Sequence, residues 1–493
     1  MTIEANKPLK IKVPALRVWD EDTAEEFMEE AEATVKFPHA GLYWVWSGQE
    51  RHRQVTVYEA DYRTPEWIKG GICYHIFVDR FFNPAAVGSD FEPLYEDTTI
   101  GSDFYGGTLY GVTEKLGYLA ELGVSCIYLS PILDSGSNHK YDTCDYETID
   151  EGFGGAAAFG VLCREAGKLG MRVILDGVFS HCGIGSRYFR EHPEWFLYEA
   201  DGVTPKYWWG VKTLPLFDKT NPEYIEYICG EDGIAKRWLE AGASGWRLDV
   251  VDELPDAFLN PLCERIKRTK PDALIIGEVW EDATNKISYG VRRRYFLGGQ
   301  LDGTTNYPLR SAIIDYLLSA DAEALAAYLA EFVGNTPKPA LDAMMNVLGT
   351  HDTIRIITAL SGAELPQTRE GFAGFRLTAE QYALARRRLK LASALVFTLP
   401  GFPCIYYGDE AGVQGGADPF NRAAFPWGDY DRELGEWYRY LGKMRRENRS
   451  ALADGELSDI RAEGGVLSFS RGGTLFVTAD ADALTINISR SGV

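Results

Sequence analysis

The chain has 493 residues, 45% hydrophobic and 25% charged, enough for two or three domains because single cores rarely grow past about 250–300 residues. Its formal net charge of −22 disfavours nucleic acid or an anionic membrane as a partner, since both want basic patches, and no apolar run nears the ~18 residues that cross a bilayer. A neutral partner suits this surface better, and the 13% aromatic content supplies flat faces on which sugar rings can stack.

Met1 to Arg17 lacks the compact apolar segment and small-residue cleavage site of a secretory signal, which gives a cytoplasmic expectation. Residues 1–65 read as a short N-terminal β segment, with strand-like runs at 41–46 and 54–58. From residue 66 to 448 short apolar runs alternate with amphipathic helical stretches, the pattern of parallel strands covered by crossover helices. The expected strands are 72–78, 124–129, 172–176, 245–249, 273–278, 301–304, 343–348 and 403–407. Eight such units predict an α/β fold, a closed (β/α)8 TIM barrel rather than an open sheet. The interval from Asp176 to Asp249 is about twice an ordinary strand–helix–strand step, so a short subdomain B is expected after the third strand, at about 180–219. Residues 449–493 return to short strands (466–470, 474–478, 484–488) and predict a small C-terminal β-sandwich domain. The eight cysteines are scattered with no Cys-x-x-Cys pair and read as buried reduced thiols rather than disulfides or a zinc site.

In such a barrel the C-terminal strand ends face the active site, and four of them carry carboxylates: Asp176, Asp249, Glu278 and Asp352. One carboxylate after an apolar run is commonly a helix cap, but four on one face are hard to explain that way. Glycoside cleavage with retention asks for one ionised and one protonated carboxyl about 5–5.5 Å apart, which Asp249 and Glu278 on neighbouring strands can supply. Arg247 lies two residues before Asp249, hence on the same side of the strand, where its charge is expected to keep Asp249 ionised as the nucleophile. Glu278, flanked by Trp280 and apolar residues, is expected to hold a proton through desolvation and to act as general acid, then base. Asp352 and His351 are expected to hydrogen-bond the distorted sugar.

Four stretches then carry a resemblance that covers most of the barrel: Leu175-Asp176-Gly177-Val178-Phe179-Ser180-His181, Gly245-Trp246-Arg247-Leu248-Asp249-Val250, Gly277-Glu278-Val279-Trp280 and Gly349-Thr350-His351-Asp352. Together they resemble the α-amylase (glycoside hydrolase 13) family. Phe77-Val78-Asp79-Arg80-Phe81, Trp208-Trp209-Gly210, Gly408-Asp409-Glu410-Ala411-Gly412 and Val251-Asp252-Glu253 in place of a Lys-His pair are most similar to its neopullulanase, cyclomaltodextrinase and maltogenic amylase group. The resemblance implies a retaining α-glucoside hydrolase acting on α-1,4 bonds, with α-1,6 bonds as a second target, in maltodextrins, cyclodextrins, pullulan or starch. It also implies sugar stacking on Tyr141 and hydroxyl contacts from Asp176 and His181. Trp209, with Trp208 and Trp280, divides evenly between core and substrate platform; Trp246 reads as core. A transglycosylase would use the same carboxylates, and a non-catalytic sugar-binding barrel is the alternative of a different class.

No cofactor is required by this chemistry and no metal ligands are assigned. Calcium is the one candidate ion, and two positions that the resemblance gives to it differ: Ser180 stands for an asparagine, and Gly106-Gly107-Thr108 lacks an aspartate. The acidic loop 90–103 is a further candidate for an ion. The N-terminal segment is shorter than the β-sandwich through which that group dimerises, so the resemblance leaves open whether the chain is a homodimer.

Overall fold

The computed structural model describes residues 1–11, 16–29, 34–47, 50–85 and 103–491. All of the acidic loop 90–103 except Asp103 lies outside them.

The first 58 residues hold more strand than the two runs read from sequence. A five-stranded sheet runs in the order Thr2–Glu4, Glu50–Tyr58, Gly41–Ser47, Leu16–Asp20, Glu25–Glu29, and a second ladder pairs Pro8–Lys10 with Thr34–Lys36. Alternation explains the sheet: Val18, Tyr43, Val45, Val55 and Val57 share one buried cluster, while the intervening Trp44 and Thr56 stay out of it. Glu-Glu-Phe-Met-Glu at 25–29 hides its strand because it sits at a sheet edge, where charged side chains are favoured.

The barrel strands are β1 (Cys73–Ile76), β2 (Cys126–Leu129), β3 (Arg172–Gly177), β4 (Gly245–Leu248), β5 (Leu274–Gly277), β6 (Gly303–Thr304), β7 (Met345–Val347) and β8 (Phe402–Tyr406). Each falls at or within one residue of an expected segment. They pair in parallel in the order β6-β5-β4-β3-β2-β1-β8-β7, and a parallel bridge from Thr305 to Met345 joins the two ends into a ring. The strands read as continuous apolar runs because both faces are buried: Cys73, Cys126, Ile174, Leu274, Ile276 and Val347 fill the interior, and the helices cover the outside. Gly245 lets β4 lie close to β5, since a Cβ there would stand 2.2 Å from the Leu274 carbonyl oxygen.

After β3 the chain leaves the barrel in a segment pinned by isolated antiparallel bridges, His181 to Leu216, Phe196 to Phe217 and Tyr207 to Pro215. At the C-terminus, Leu457–Glu463, Val466–Arg471, Leu475–Asp480 and Thr485–Arg490 form one antiparallel sheet. Its covering layer is helical rather than a second sheet. Tyr316, on the helix Tyr307–Ser319, donates to the Gly465 and Ala479 carbonyls, and Glu323, on Ala322–Asn335, accepts from the Gly464 N–H. All eight cysteines are free. Among the described residues no helix is long and apolar enough to cross a membrane.

Candidate active site

The catalytic candidates hang from the C-terminal ends of four strands. Asp176 lies within β3, Asp249 and Glu278 follow β4 and β5 directly, and His351 and Asp352 stand in the turn after β7. Parallel pairing sets Asp176 opposite Arg247 across β3 and β4. The buried guanidinium then reaches all three carboxylates: Nη1 donates to Asp176 Oδ1 at 2.9 Å and Asp249 Oδ1 at 2.8 Å, and Nη2 stands 3.0 Å from Glu278 Oε2. One fixed, planar cation thus ties the ends of three neighbouring strands together.

The backbone adds a donor of its own. Val250 has φ 37°, in the left-handed region that a β-branched residue rarely enters, and its N–H donates to Glu278 Oε2 at 2.8 Å. Such strain costs about 1–3 kcal/mol and gathers at functional sites. Trp280 Nε1 donates to Glu278 Oε1 at 3.1 Å, while its ring lies flat on Tyr307 with centroids 3.8 Å apart. Glu278 is therefore held by three donors, not merely desolvated against apolar strand residues as its sequence context suggested.

Asp249, Glu278 and Asp352 open into one cavity of about 730 Å³, together with Tyr141, His181, Trp208, Trp209, Trp280, His351 and Arg422. Tyr141 stacks on His351, 4.9 Å between centroids and 8° between planes, and its hydroxyl donates to Asp176 Oδ2 at 2.8 Å. His181 Nε2 is 3.1 Å from the Tyr141 carbonyl. His181 Nδ1 and His351 Nδ1 are buried without a protein partner among the described residues. Asp176 and Arg247 do not line the cavity. The Asp176 carboxylate accepts from Arg247, Tyr141 and Tyr128 (2.5 Å), and so ties those side chains together beneath the cavity floor. Trp246 is wholly buried, as read from sequence; Trp209 is exposed on the rim.

Burial pushes the Asp249 carboxyl well above the usual aspartate range, with Arg247 opposing and Glu278 and Asp176 adding to the rise. Burial also raises Asp176, against Arg247. Three carboxylates therefore compete for one guanidinium in a dry site. Arg247 acts to keep Asp249 ionised, and burial with the two neighbouring carboxylates acts against it. Asp352 is pushed up to about 7 by burial and by the Glu278 charge, with Arg422 opposing at 3.6 Å. Burial pulls His181 down to about 3 and His351 well below the imidazole range, so both are neutral donors or acceptors at pH 7.

Five contributors escaped the sequence reading: Tyr128, Glu253, Tyr289, Tyr307 and Arg422. Tyr128 and Tyr307 looked like ordinary core aromatics, and Arg422 sits in a loop without a pattern. Glu253 lay in a stretch noted only for what it replaced; here its Oε1 accepts from Trp208, Trp209 and Tyr289, and its Oε2 from Ser180.

The positions bearing on calcium do not fit that ion. Ser180 Oγ donates to Glu253 and receives the Lys219 ammonium at 3.2 Å, which sets a cation of the protein's own beside it. Thr108 caps a helix by accepting from the Gly111 N–H. Calcium wants six to eight oxygens, and neither position offers a free one.

A closed parallel barrel with acids gathered around an arginine at its C-terminal face, beneath an aromatic-rimmed cleft, is the architecture of a barrel glycosidase. The chain belongs to the alpha-amylase family, whose catalytic-domain model matches residues 75–208 and 198–431. It is 34% identical over 496 residues to an amylopullulanase of Thermoanaerobacter thermohydrosulfuricus, covering 85% of this chain and 32% of that protein. It is likewise 34% identical over 407 residues to neopullulanase 2 of Thermoactinomyces vulgaris, covering 78% and 64%. Among solved structures, the type III pullulan hydrolase from Thermococcus kodakarensis matches with a TM-score of 0.74 at 27% identity, covering 96% of this chain and 90% of that one. The chain thus spans about a third of the amylopullulanase's length and just under two thirds of the neopullulanase's.

Proposed function

We propose that this chain hydrolyses α-1,4-glucosidic bonds of soluble α-glucans, with α-1,6 bonds as a secondary target, and retains the anomeric configuration. The observation that carries the reading is the pair Asp249 and Glu278, each held by Arg247 and each opening into the same sugar-sized cleft. Relatives named neopullulanase and cyclomaltodextrinase support the substrate class.

In this mechanism Asp249, as carboxylate, attacks the anomeric carbon while Glu278 passes its proton to the departing glycosidic oxygen, giving a glycosyl ester and a shorter sugar. Glu278, now a carboxylate, takes a proton from water, whose oxygen attacks the same carbon and frees Asp249. Arg247 steadies the carboxylate that remains at each stage. The ring of Tyr141, backed by His351, supplies a flat face for the reacting sugar, and Asp352 with Arg422 takes its hydroxyls. The eight free cysteines support a cytoplasmic location, where thiols stay reduced, and cell fractionation checks it.

The test uses maltotriose. The wild-type protein is expected to release product whose first anomeric NMR signal is α, and Glu278→Gln to lose hydrolysis by at least ~10²-fold while binding is kept. A β signal first, or full activity in the variant, contradicts the proposal.

A further inference from the structure

The two most exposed aromatic rings of the cleft, Trp209 (78%) and Tyr289 (76%), stand on one wall, and both have left-handed backbone, φ 46° and 51°. That conformation costs a bulky residue about 1–2 kcal/mol, and here it holds two rings out toward solvent rather than into a core. Both are aimed by the same atom. Glu253 Oε1 accepts from Trp209 Nε1 at 3.1 Å and from the Tyr289 hydroxyl at 3.2 Å.

Tyr289 is the tip of a small hairpin, Ile287–Ser288 paired with Val291–Arg292, whose two-residue turn Tyr289-Gly290 has positive φ at both positions. A ladder this short has little stability alone. Its far end is tied to the N-terminal sheet. Arg292 Nε and Nη2 each stand 2.7 Å from Glu21 Oε1, and Glu21 is itself fixed by the Trp44 indole at 2.7 Å. Arg294 Nη1 donates to Asp22 at 2.6 Å and its Nη2 to the Ala40 carbonyl at 3.1 Å. These ties cross from one unit of the fold to another and end on the loop that walls the cleft.

We propose that the N-terminal sheet is a positioning element of the substrate cleft. Glu21 and Asp22, by gripping Arg292 and Arg294, hold Tyr289 where it packs against glucosyl units beyond the bond being cleaved, and so set the preference for longer α-glucan chains. The inference rests on the proposed α-glucan hydrolysis.

The experiment compares maltotriose with maltohexaose in the full chain carrying Arg292→Gln and Arg294→Gln together. KM for maltohexaose is expected to rise about fivefold, equivalent to ~1 kcal/mol, while kcat for both sugars and KM for maltotriose stay within about twofold. Arg292→Lys alone, which keeps a charge near Glu21, is expected to stay near wild type. Arg17→Gln, which breaks the Glu26 pair on the same sheet without touching the hairpin, serves as the control and is expected to change neither sugar's kinetics. An unchanged ratio of the two KM values, or an equal change in the control, overturns the inference. If the wild-type protein cleaves neither sugar, the proposed function falls. The positioning role is then decided by maltohexaose binding, read through tryptophan fluorescence: about fivefold weaker binding in the double variant supports it, and equal binding or none overturns it.

Discussion

Replacing Asp352 with asparagine should make the protein more stable, and only at the pH where the enzyme would work. A carboxyl whose pKa is higher in the fold than in the unfolded chain binds its proton more tightly when folded. Ionising it therefore destabilises the fold, by nothing below about pH 4 and fully above about pH 7. For Asp352 the rise from 3.8 to about 7 corresponds to at most ~4 kcal/mol. The side chain is 32% exposed and Arg422 lies 3.6 Å away, so solvent screening reduces the figure to about 1–2 kcal/mol. With an unfolding entropy of about 2.1 cal/mol/K per residue, that is a shift in Tm of about 1–2 °C for a chain of this size. Calorimetry of both proteins at pH 4 and pH 8 reads it directly. Asp352→Asn is expected to melt higher than wild type at pH 8 and level with it at pH 4. A difference of the same size at both pH values, or a lower melting point at pH 8, refutes the assignment of a strained, ion-destabilised carboxyl at this position.

Arg247→Leu removes the single cation from among three buried carboxylates and is expected to lower stability by about 3–5 kcal/mol at pH 7, measured from the urea midpoint, with a smaller loss at pH 5 where the cluster takes up protons. Tyr141→Phe keeps the stacked ring but loses the bond to Asp176, so kcat/KM on maltotriose should fall less than tenfold; Tyr141→Ala, which loses the ring as well, should fall much further. Because every cysteine is free, adding a reductant should leave Tm unchanged, and a drop would reveal a disulfide.

The barrel was legible because its physics is periodic: each strand is buried on both faces and so is written as an unbroken apolar run, such as Leu-Ile-Ile-Gly at 274–277. The acids were legible because they end those runs. Strands such as Glu25–Glu29 and Leu457–Glu463 were missed because each lies at an edge and carries as much charge as a loop. What sequence could not give was the sharing of partners. That Arg247 serves three carboxylates, and that Glu253 gathers two adjacent indoles and a phenol from two separate segments, follows only once the strand ends converge. The opposing pulls on Asp249 were hidden for the same reason: a pairwise view saw one arginine beside one aspartate and not the competition for it.

The central claim is that Asp249 becomes covalently attached to the sugar. Glu278→Gln protein incubated with a fluorinated α-glucosyl fluoride, then digested with protease, should show the added mass on the peptide carrying Asp249 when analysed by mass spectrometry. Label on Asp176 or Asp352 instead, or no adduct together with inverted product, would contradict the account.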